Sequence, residues 1–161
     1  MKKLVFISCI GLFFAACGGG GDQKPAADPY DATKNTGAGS STENPAYDPN
    51  RGEGKFKTVE VGATLDAAMA ATGEKAYGLK CSSCHKTTDE KLVGPGWKGV
   101  TQRRTPVWIM NFVTNTDAMI NKDPAAQAQL EICLVRMPNQ NLADDEARSL
   151  LEFMRKNDGV K

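Results

Sequence analysis

One five-residue stretch constrains this chain more than any other. Positions 81–85 read Cys-Ser-Ser-Cys-His, two cysteines separated by two residues and followed at once by histidine. This spacing is the signature of a c-type haem attachment site. The thiols of Cys81 and Cys84 can each form a thioether with one vinyl group of the porphyrin, and His85 is then held beneath the iron as the proximal ligand. His85 is the only histidine in the chain, so the sequence offers no other histidine for that role.

Two other interpretations of these cysteines have less support. A structural zinc site requires four ligands, and Cys133 is the only cysteine that follows the pair. A thioredoxin-like motif is expected near a βαβ pattern, and the sequence has none. Cys133 itself is either a reactive thiol of an exported protein or a small apolar residue on a helix. We favour the helix interpretation.

The beginning of the chain resembles a bacterial export signal. Two lysines precede an apolar run at positions 4–14, and two alanines follow it. This order is typical of a secretory signal peptide, and the run is shorter than the about 20 apolar residues that span a membrane. Positions 14–18 (Phe-Ala-Ala-Cys-Gly) resemble a lipobox, with phenylalanine in place of the usual leucine. We therefore predict a lipoprotein signal peptide at 1–16 and lipidation of Cys17. The alternative is an ordinary signal peptide that leaves Cys17 free.

The next segment, 17–54, is poor in hydrophobic residues and rich in Gly, Pro, Ser, Asp and Asn. Such a segment buries too little apolar surface to fold alone, so we predict a flexible tether. It is acidic, with six acidic and three basic residues. Phe56, Val59 and Val61 follow in a partly alternating pattern, which fits either a short extended arm on the domain or the end of the linker. The net charge of the chain, +1, gives no sign of nucleic-acid binding.

Residues 55–161 are predicted to form one all-α domain of about four to five helices. Apolar residues recur at helical spacing from Leu65 to Lys80. Thr105-Pro106 and Asp123-Pro124 each place an N-cap residue before a proline, the order expected at a helix start. A last helix is expected to begin at the acidic run 144–146, because negative charge is favoured in the first turn of a helix.

A single histidine leaves the second axial position of the iron to another residue. Methionine sulfur is a known axial ligand. Met110, Met119 and Met154 lie inside helical patterns and are expected in the core, and Met69 precedes the attachment site. Met137 is followed by proline and an Asn-Gln-Asn run that favours a turn, so we predict Met137 as the second ligand. Two protein ligands leave no open position on the iron, which favours electron transfer over catalysis by an enzyme.

Three sequence motifs, taken in their order along the chain, resemble those of class I (mitochondrial-type) cytochrome c. They are the haem-attachment stretch 81–85, the run 94–99 (Gly-Pro-Gly-Trp-Lys-Gly) and Met137-Pro138, and the similarity covers about residues 64–158. The resemblance implies a cytochrome c fold wrapped around one covalently bound haem. The run 108–141 is similar to that of a subgroup of lipid-anchored single-haem cytochromes of Gram-negative bacteria, some of which accompany nitrous oxide reductase.

The resemblance also implies roles for single residues. The carbonyl of Pro95 would accept the Nδ1–H of His85 and orient the imidazole, and Trp97 would pack on the haem face. Arg103 is the expected partner of a haem propionate, the next arginine is a second candidate, and the indole N–H of Trp108 is a third. The alternative for both arginines is solvated surface charge.

The same resemblance predicts how the first and last helices cross. Gly73 and Tyr77 would meet Leu150 and Phe153, which would explain a mid-helix glycine that costs about 1 kcal/mol relative to alanine. The family often caps its last helix with Ser or Thr. The corresponding residue here is Ala143, and we expect the following aspartate to provide the cap.

The function that the resemblance implies is electron transfer by a membrane-tethered protein on the periplasmic side of a bacterial membrane. The expected donor is a quinol-oxidising complex, and the expected acceptor is a terminal oxidase or reductase. Five basic residues near the motifs either form a rim that steers an acidic partner or are ordinary solvated charges (Lys80, Lys86, Lys91, Lys98 and Arg136). The alternative functions are a haem-based gas sensor, in which Met137 dissociates, and a fixed cytochrome subunit of a respiratory complex.

Overall fold

The structure, a computed structural model, describes residues 47–161. These residues form six helices and no strand: α1 (Ala67–Lys80), α2 (Val100–Arg103), α3 (Pro106–Thr114), α4 (Thr116–Lys122), α5 (Pro124–Cys133) and α6 (Asp144–Asn157). The predicted all-α class is confirmed, and the short helices α2 and α4 were not predicted. The predicted signal peptide, the predicted lipidation site Cys17 and the predicted tether up to residue 46 lie outside the described residues. Within residues 47–161, no helix has both the length and the apolar character needed to cross a membrane.

The predicted helix starts at α3 and α5 are confirmed by their caps. The Thr105 hydroxyl accepts the amide of Trp108 at 3.1 Å, and the Asp123 carboxylate accepts the amide of Ala126 at 2.8 Å. In both helices a proline occupies the first turn, where its missing N–H costs nothing. These caps set the direction of α3 and α5, and α5 leads into the segment that contains Met137.

The predicted cap of α6 is wrong. Ala143 occupies the N-cap position and has no side-chain acceptor, and Asp144 is the first helical residue. The carboxylate of Glu146 instead reaches back to accept the Ala143 amide at 3.1 Å. Asp144 forms an ion pair with Lys55 in the segment that precedes α1. A residue at the first helical position is too far along the helix to cap it, which explains the error.

Helices α1 and α6 approach each other closely where they cross. Gly73 is buried, and a Cβ atom at this position would overlap the carbonyl of Ser149 on α6. The rings of Tyr77 and Phe153 lie 5.3 Å apart between their centroids. The predicted contact between the first and last helices is therefore confirmed, and the glycine is needed because backbone meets backbone there.

A buried carboxylate fastens the same crossing at its other end. Glu152 is fully buried on α6 and accepts hydrogen bonds from the Asp66 amide at 2.9 Å and from Arg148 and Arg155, each at 2.6 Å. Burial by itself raises the pKa of Glu152, but these three hydrogen bonds outweigh it and leave the pKa below its ordinary value. Arg155 also donates to the carbonyl of Gly62 at 2.5 Å. The start of α1 and the chain before it are thus tied to α6.

The segment before α1, residues 47–65, lies on the domain as an arm. The buried amide of Asn111 on α3 holds its middle, donating to the carbonyls of Arg51 (2.9 Å) and Phe56 (3.1 Å) and accepting the Phe56 amide (3.0 Å). Phe56, Val59 and Val61 pack against the core. Of the two interpretations of this segment, the structure therefore supports an arm that lies on the domain, although the arm does not form a strand.

The arm begins before residue 55, where the sequence analysis placed the domain boundary. The hydroxyl of Tyr47 donates to the carboxylate of Asp123 at 2.5 Å. Gly52 is buried against the side chains of Met119 and Trp108, with a φ of 71° that suits glycine. Residues 47–54 therefore lie on α3 and α4. Polar side chains and backbone groups make these contacts, so a count of hydrophobic residues does not reveal them.

Candidate haem site

The end of α1 forms the turn that carries the motif 81–85. The amides of Cys81 and Ser82 both donate to the carbonyl of Tyr77, at 2.9 and 3.0 Å. The amides of Cys84 and His85 then both donate to the carbonyl of Cys81, at 3.1 and 2.9 Å. These bonds continue the helix as a tight turn, which brings the two thiols and the imidazole together as the motif requires.

The loop that follows folds back over His85. The amide of Gly94 donates to the carbonyl of Cys84 at 2.8 Å, and the amide of Trp97 donates to the carbonyl of Lys86 at 2.9 Å. A Cβ atom at Gly94 would overlap the imidazole of His85, so only glycine fits there. The loop therefore packs directly on the ring and limits its rotation.

The imidazole of His85 is oriented by a hydrogen bond. Its Nδ1 lies 2.8 Å from the carbonyl oxygen of Pro95, the contact that the resemblance implied. A carbonyl oxygen can only accept, so Nδ1 carries the hydrogen and Nε2 has the free lone pair that a metal needs. Burial lowers the pKa of His85, while the bond to Pro95 opposes this effect. Both the position and the neutral state of the ring suit an iron ligand.

The environment of Cys81 argues against thiol-redox chemistry. Burial, offset in part by Lys80 and reinforced by Cys84, raises the pKa of the Cys81 thiol to about 11. Cysteines that exchange disulfides have a lowered pKa, because the thiolate is the nucleophile. Within residues 47–161 there is no group of three or more His, Cys, Asp or Glu side chains that could hold a metal ion.

Aromatic rings surround the buried face of His85. Trp97 is buried, and its ring lies 4.9 Å from that of Tyr77 and 5.5 Å from that of His85, between centroids. The hydroxyl of Tyr77 also donates to the backbone carbonyl of His85 at 2.7 Å. From the sequence, Tyr77 is expected only at the helix crossing, and this contact is not predicted. No linear pattern indicates it, because it depends on the turn at 81–84.

Met137 lies in the segment between α5 and α6, half-buried against the core. By contrast, Met110, Met119 and Met154 are at most 3% exposed and lie within helices, as predicted. Met119 sulfur in addition accepts the amide of Glu53 at 2.9 Å. Among these methionines, Met137 is thus the one outside a helix, and its role as an iron ligand stays a prediction.

The candidate propionate partners differ in their surroundings. Arg103 Nη1 donates to the carbonyl of Lys98 at 2.7 Å, and the Arg104 guanidinium lies 4.6 Å from the centre of the Trp108 ring. The indole N–H of Trp108 donates to the buried carboxylate of Asp123 at 3.1 Å. That is the only hydrogen the indole can donate, so Trp108 does not fit the predicted propionate contact. The propionate role of Arg103 stays a prediction.

The basic residues near the motifs all have acceptors within the domain. Four form ion pairs: Lys80 with Glu146 (3.0 Å), Lys86 with Glu90 (2.6 Å), Lys98 with Asp89 (4.0 Å) and Arg136 with Asp117 (3.1 Å). Lys91 donates to the carbonyl of Ile132 at 2.8 Å. Local carboxylates thus offset much of this positive charge, which favours the interpretation as ordinary surface charges over that of a steering rim.

The comparison with known proteins identifies the family. A model of the cytochrome c family, described as "Cytochrome c", matches residues 70–158. The chain belongs to the cytochrome c family. The structure of this cytochrome c is similar to that of a cytochrome c from Rhodothermus marinus, with 35% sequence identity, a TM-score of 0.63, and coverage of 65% of this chain and 90% of that chain.

Two engineered forms of the Rhodothermus marinus protein match with the same coverage and 34% identity. One has a TM-score of 0.63, and the other, bound to a carbene intermediate, has a TM-score of 0.60. No curated protein matches the chain. The family places this cytochrome among haem-based electron-transfer proteins, and its cofactor is a covalently attached c-type haem.

The residues of this cytochrome fit that cofactor. The turn at 81–85 provides two thiols for the thioether bonds and one imidazole with a free Nε2. Exposed apolar side chains also occur in the two segments that carry the other motifs: Leu92 and Val93 come just before Gly94, and Leu134 and Val135 come just before Arg136 and Met137. Adjacent exposed apolar side chains commonly mark a ligand groove, and a flat, largely apolar macrocycle would cover such residues.

Proposed function

We propose that this cytochrome is a class I electron carrier in which His85 and Met137 are the axial ligands of one haem, and that it is not an enzyme. One observation carries the proposal. His85 uses Nδ1 for the carbonyl of Pro95 and keeps Nε2 for the iron. The second ligand then has to come from a segment free to face the metal, and Met137 is the half-buried methionine in a non-helical segment.

The protein's part in electron transfer is to hold the ligands still and to keep water away. The haem, when bound, supplies an iron that accepts and releases one electron. The bond to Pro95 and the close packing of Gly94 fix the imidazole plane, and the hydroxyl of Tyr77 fixes the backbone of His85. Buried Trp97 excludes solvent beside the ring. A fixed set of two protein ligands leaves no position for a substrate.

We further propose that the carrier is tethered to the periplasmic side of a bacterial membrane through a lipid on Cys17. The export-signal pattern at 1–16 and the lipobox-like sequence support this. Two or more acyl chains provide stable membrane attachment. The proposed donor is a quinol-oxidising complex, and the proposed acceptor is a terminal oxidase or reductase, of which nitrous oxide reductase is one candidate. A fixed subunit of a respiratory complex would have the same architecture.

The ligand proposal is tested by spectroscopy of the purified haem-loaded protein. Ferric haem bound by methionine sulfur gives a weak charge-transfer band in the far red. We expect the band in the wild type and in Met69→Leu, whose methionine is half-buried on α1. Met137→Leu should abolish it. A wild-type protein that lacks the band in the ferric state and readily binds carbon monoxide in the ferrous state would support the gas sensor instead.

The tether proposal is tested by fractionation of the bacterium that makes the protein. The wild type should be recovered with membranes, and Cys17→Ser should be recovered in the soluble fraction. Copurification from detergent-solubilised membranes would then identify the partners. A wild-type protein in the soluble fraction would contradict the lipid anchor and leave the ligand proposal intact.

A further inference from the structure

Arg136, the residue immediately before Met137, is fastened to α4. Its Nη2 donates to the carboxylate of Asp117 at 3.1 Å, to the Asp117 carbonyl at 3.2 Å and to the side-chain oxygen of Asn121 at 3.0 Å. Its Nε donates to the same carboxylate oxygen of Asp117 at 3.2 Å. The planar guanidinium therefore joins two successive turns of α4 and contacts one carboxylate oxygen through two of its nitrogens, and a single ammonium nitrogen lacks that second contact.

The rest of the segment makes few other hydrogen bonds. In the described part of the chain, the remaining hydrogen bonds of residues 135–142 are local: Gln140 donates to the carbonyl of Pro138, and the Asn141 amide donates to the side chain of Asn139. Just before the segment, Leu134 adopts a left-handed conformation with a φ of 58°, and this turn leaves Leu134 85% exposed. Hydrogen bonds from this segment to the body of the domain thus come from Arg136.

Helix α4, to which Arg136 is hydrogen-bonded, is held to the arm and to the core. The arm crosses α4, where the Glu53 amide donates to the sulfur of Met119 at 2.9 Å and the Glu53 carboxylate pairs with Lys122 at 3.2 Å. Met119 and Ile120 are buried. A side chain attached to α4 is therefore attached to the core rather than to another loose segment.

We propose that Arg136 is a positioning residue for Met137, which holds the methionine against the iron through Asp117 and Asn121. This inference rests on the proposed function, because it requires that Met137 is a ligand. Without the attachment, the segment would spend more time in conformations in which the methionine has left the iron. A competing ligand then binds more tightly in proportion to that open fraction.

Imidazole binding to the ferric haem measures the open fraction directly. We expect Arg136→Gln and Asp117→Asn each to lower the apparent Kd for imidazole roughly two- to fivefold, the size expected for one exposed ion pair with good geometry. The apparent Kd of Arg136→Lys should lie between those of Arg136→Gln and the wild type, because lysine keeps the positive charge but lacks the two-nitrogen donor geometry of the guanidinium. The double variant should bind imidazole no more tightly than Arg136→Gln alone, since Arg136→Gln already removes the contact with Asp117.

A matched control uses an ion pair of similar exposure away from this segment. Lys156 pairs with Glu74 at 2.8 Å, and the two side chains are 48% and 54% exposed, against 42% and 67% for Arg136 and Asp117. Lys156→Gln should leave imidazole binding unchanged. If it alters binding as much as Arg136→Gln does, the effect is general destabilisation and the positioning role is wrong.

The outcomes also separate this inference from the proposed function. If the wild type lacks the methionine band, the ligand assignment fails. If the band is present and Arg136→Gln and Asp117→Asn bind imidazole like the wild type, Met137 is a ligand and Arg136 does not position it. An effect of Arg136→Gln restricted to the salt dependence of the reaction with a charged redox reagent would assign Arg136 to steering instead.

Discussion

The side of the domain that holds His85 and the side that leads to Met137 are built differently. Around α1 and α6, backbone meets backbone at Gly73, and a fully buried carboxylate, Glu152, ties two arginines to the start of α1. Around α3, α4 and α5, side chains such as Asn111 reach out to an arm without regular secondary structure. The segment with Met137 is hydrogen-bonded to the rest of the domain through an exposed arginine.

This difference predicts which side of the domain loses its folded structure first. In a close-packed interior, even a small change in side-chain volume disturbs many contacts. Exposed side-chain contacts, by contrast, break at a small cost in free energy. We therefore expect the Met137 side to open while the His85 side stays folded. Variants on the two sides should reveal this difference in both the size of the effect and its location.

The largest effect is expected from Glu152→Gln. The change leaves Arg148 and Arg155 without their buried counter-charge, which costs roughly 3–5 kcal/mol. Chemical denaturation of the haem-loaded protein at neutral pH measures it. A loss below 1 kcal/mol would mean that the crossing does not depend on this carboxylate.

The same carboxylate predicts a pH dependence. The pKa of Glu152 is lowered in the folded state, so its contribution is fully present above the unfolded pKa of about 4.3 and is lost as the pH falls through the lower folded value. The stability difference between the wild type and Glu152→Gln should therefore shrink in acid. A difference that stays constant from neutral pH to strong acid would contradict the assignment.

A smaller effect is expected from Gly73→Ala. The added Cβ would overlap the Ser149 carbonyl, and forcing the helices apart costs roughly 1–3 kcal/mol. Gly78 on the same helix has no atom within 4 Å of the position of a Cβ, so Gly78→Ala should instead stabilise the protein by about 0.5–1 kcal/mol. Equal effects of the two changes in thermal or chemical unfolding would show that close packing is not the reason for Gly73.

On the other side, Tyr47→Phe should cost about 1 kcal/mol, because it removes one hydrogen bond to the buried carboxylate of Asp123. The effect should be local. Hydrogen exchange is expected to speed up in residues 47–56 and to stay unchanged in α1. Faster exchange throughout both regions would mean that the two sides unfold together, and the contrast between them would be lost.

The smallest effect is expected from Lys156→Gln at the surface of the α1–α6 crossing. Its ion pair with Glu74 is half exposed, and such pairs contribute about 0.5 kcal/mol or less. Chemical denaturation should barely distinguish the variant from the wild type. A loss comparable with that of Gly73→Ala would show that charges, rather than the close approach, hold the crossing.

The features that could be predicted from the sequence are those that depend on residues close together in the chain. The caps at Thr105 and Asp123 and the turn at 81–85 each follow from residue type and spacing, and the structure has all three. The contact of Gly73 with the last helix followed from the family resemblance. The orientation of His85 by Pro95 followed from the family resemblance.

The missed features are polar contacts between residues far apart in the chain. Tyr47 and Asp123 are 76 positions apart, and Asn111 and Phe56 are 55 apart. No periodicity marks a side chain that bonds to the backbone of a distant segment. Helix α4 was missed for a related reason, because its short sequence is mostly polar and its buried side depends on the arm.

The bond between Tyr47 and Asp123 also determines how the domain bears mechanical load. Any pull on the chain that precedes Tyr47 acts first on this bond and then on the Asn111 contacts with the arm. Asp123 caps the first turn of α5, and Met137 follows the far end of that helix, about 15 Å away at 1.5 Å per residue. Under tension the arm would peel away from α3 and α4 before force reached the turn at 81–85. A domain pulled by its leading chain could thus lengthen by one segment and keep both cysteines and His85 in their folded positions.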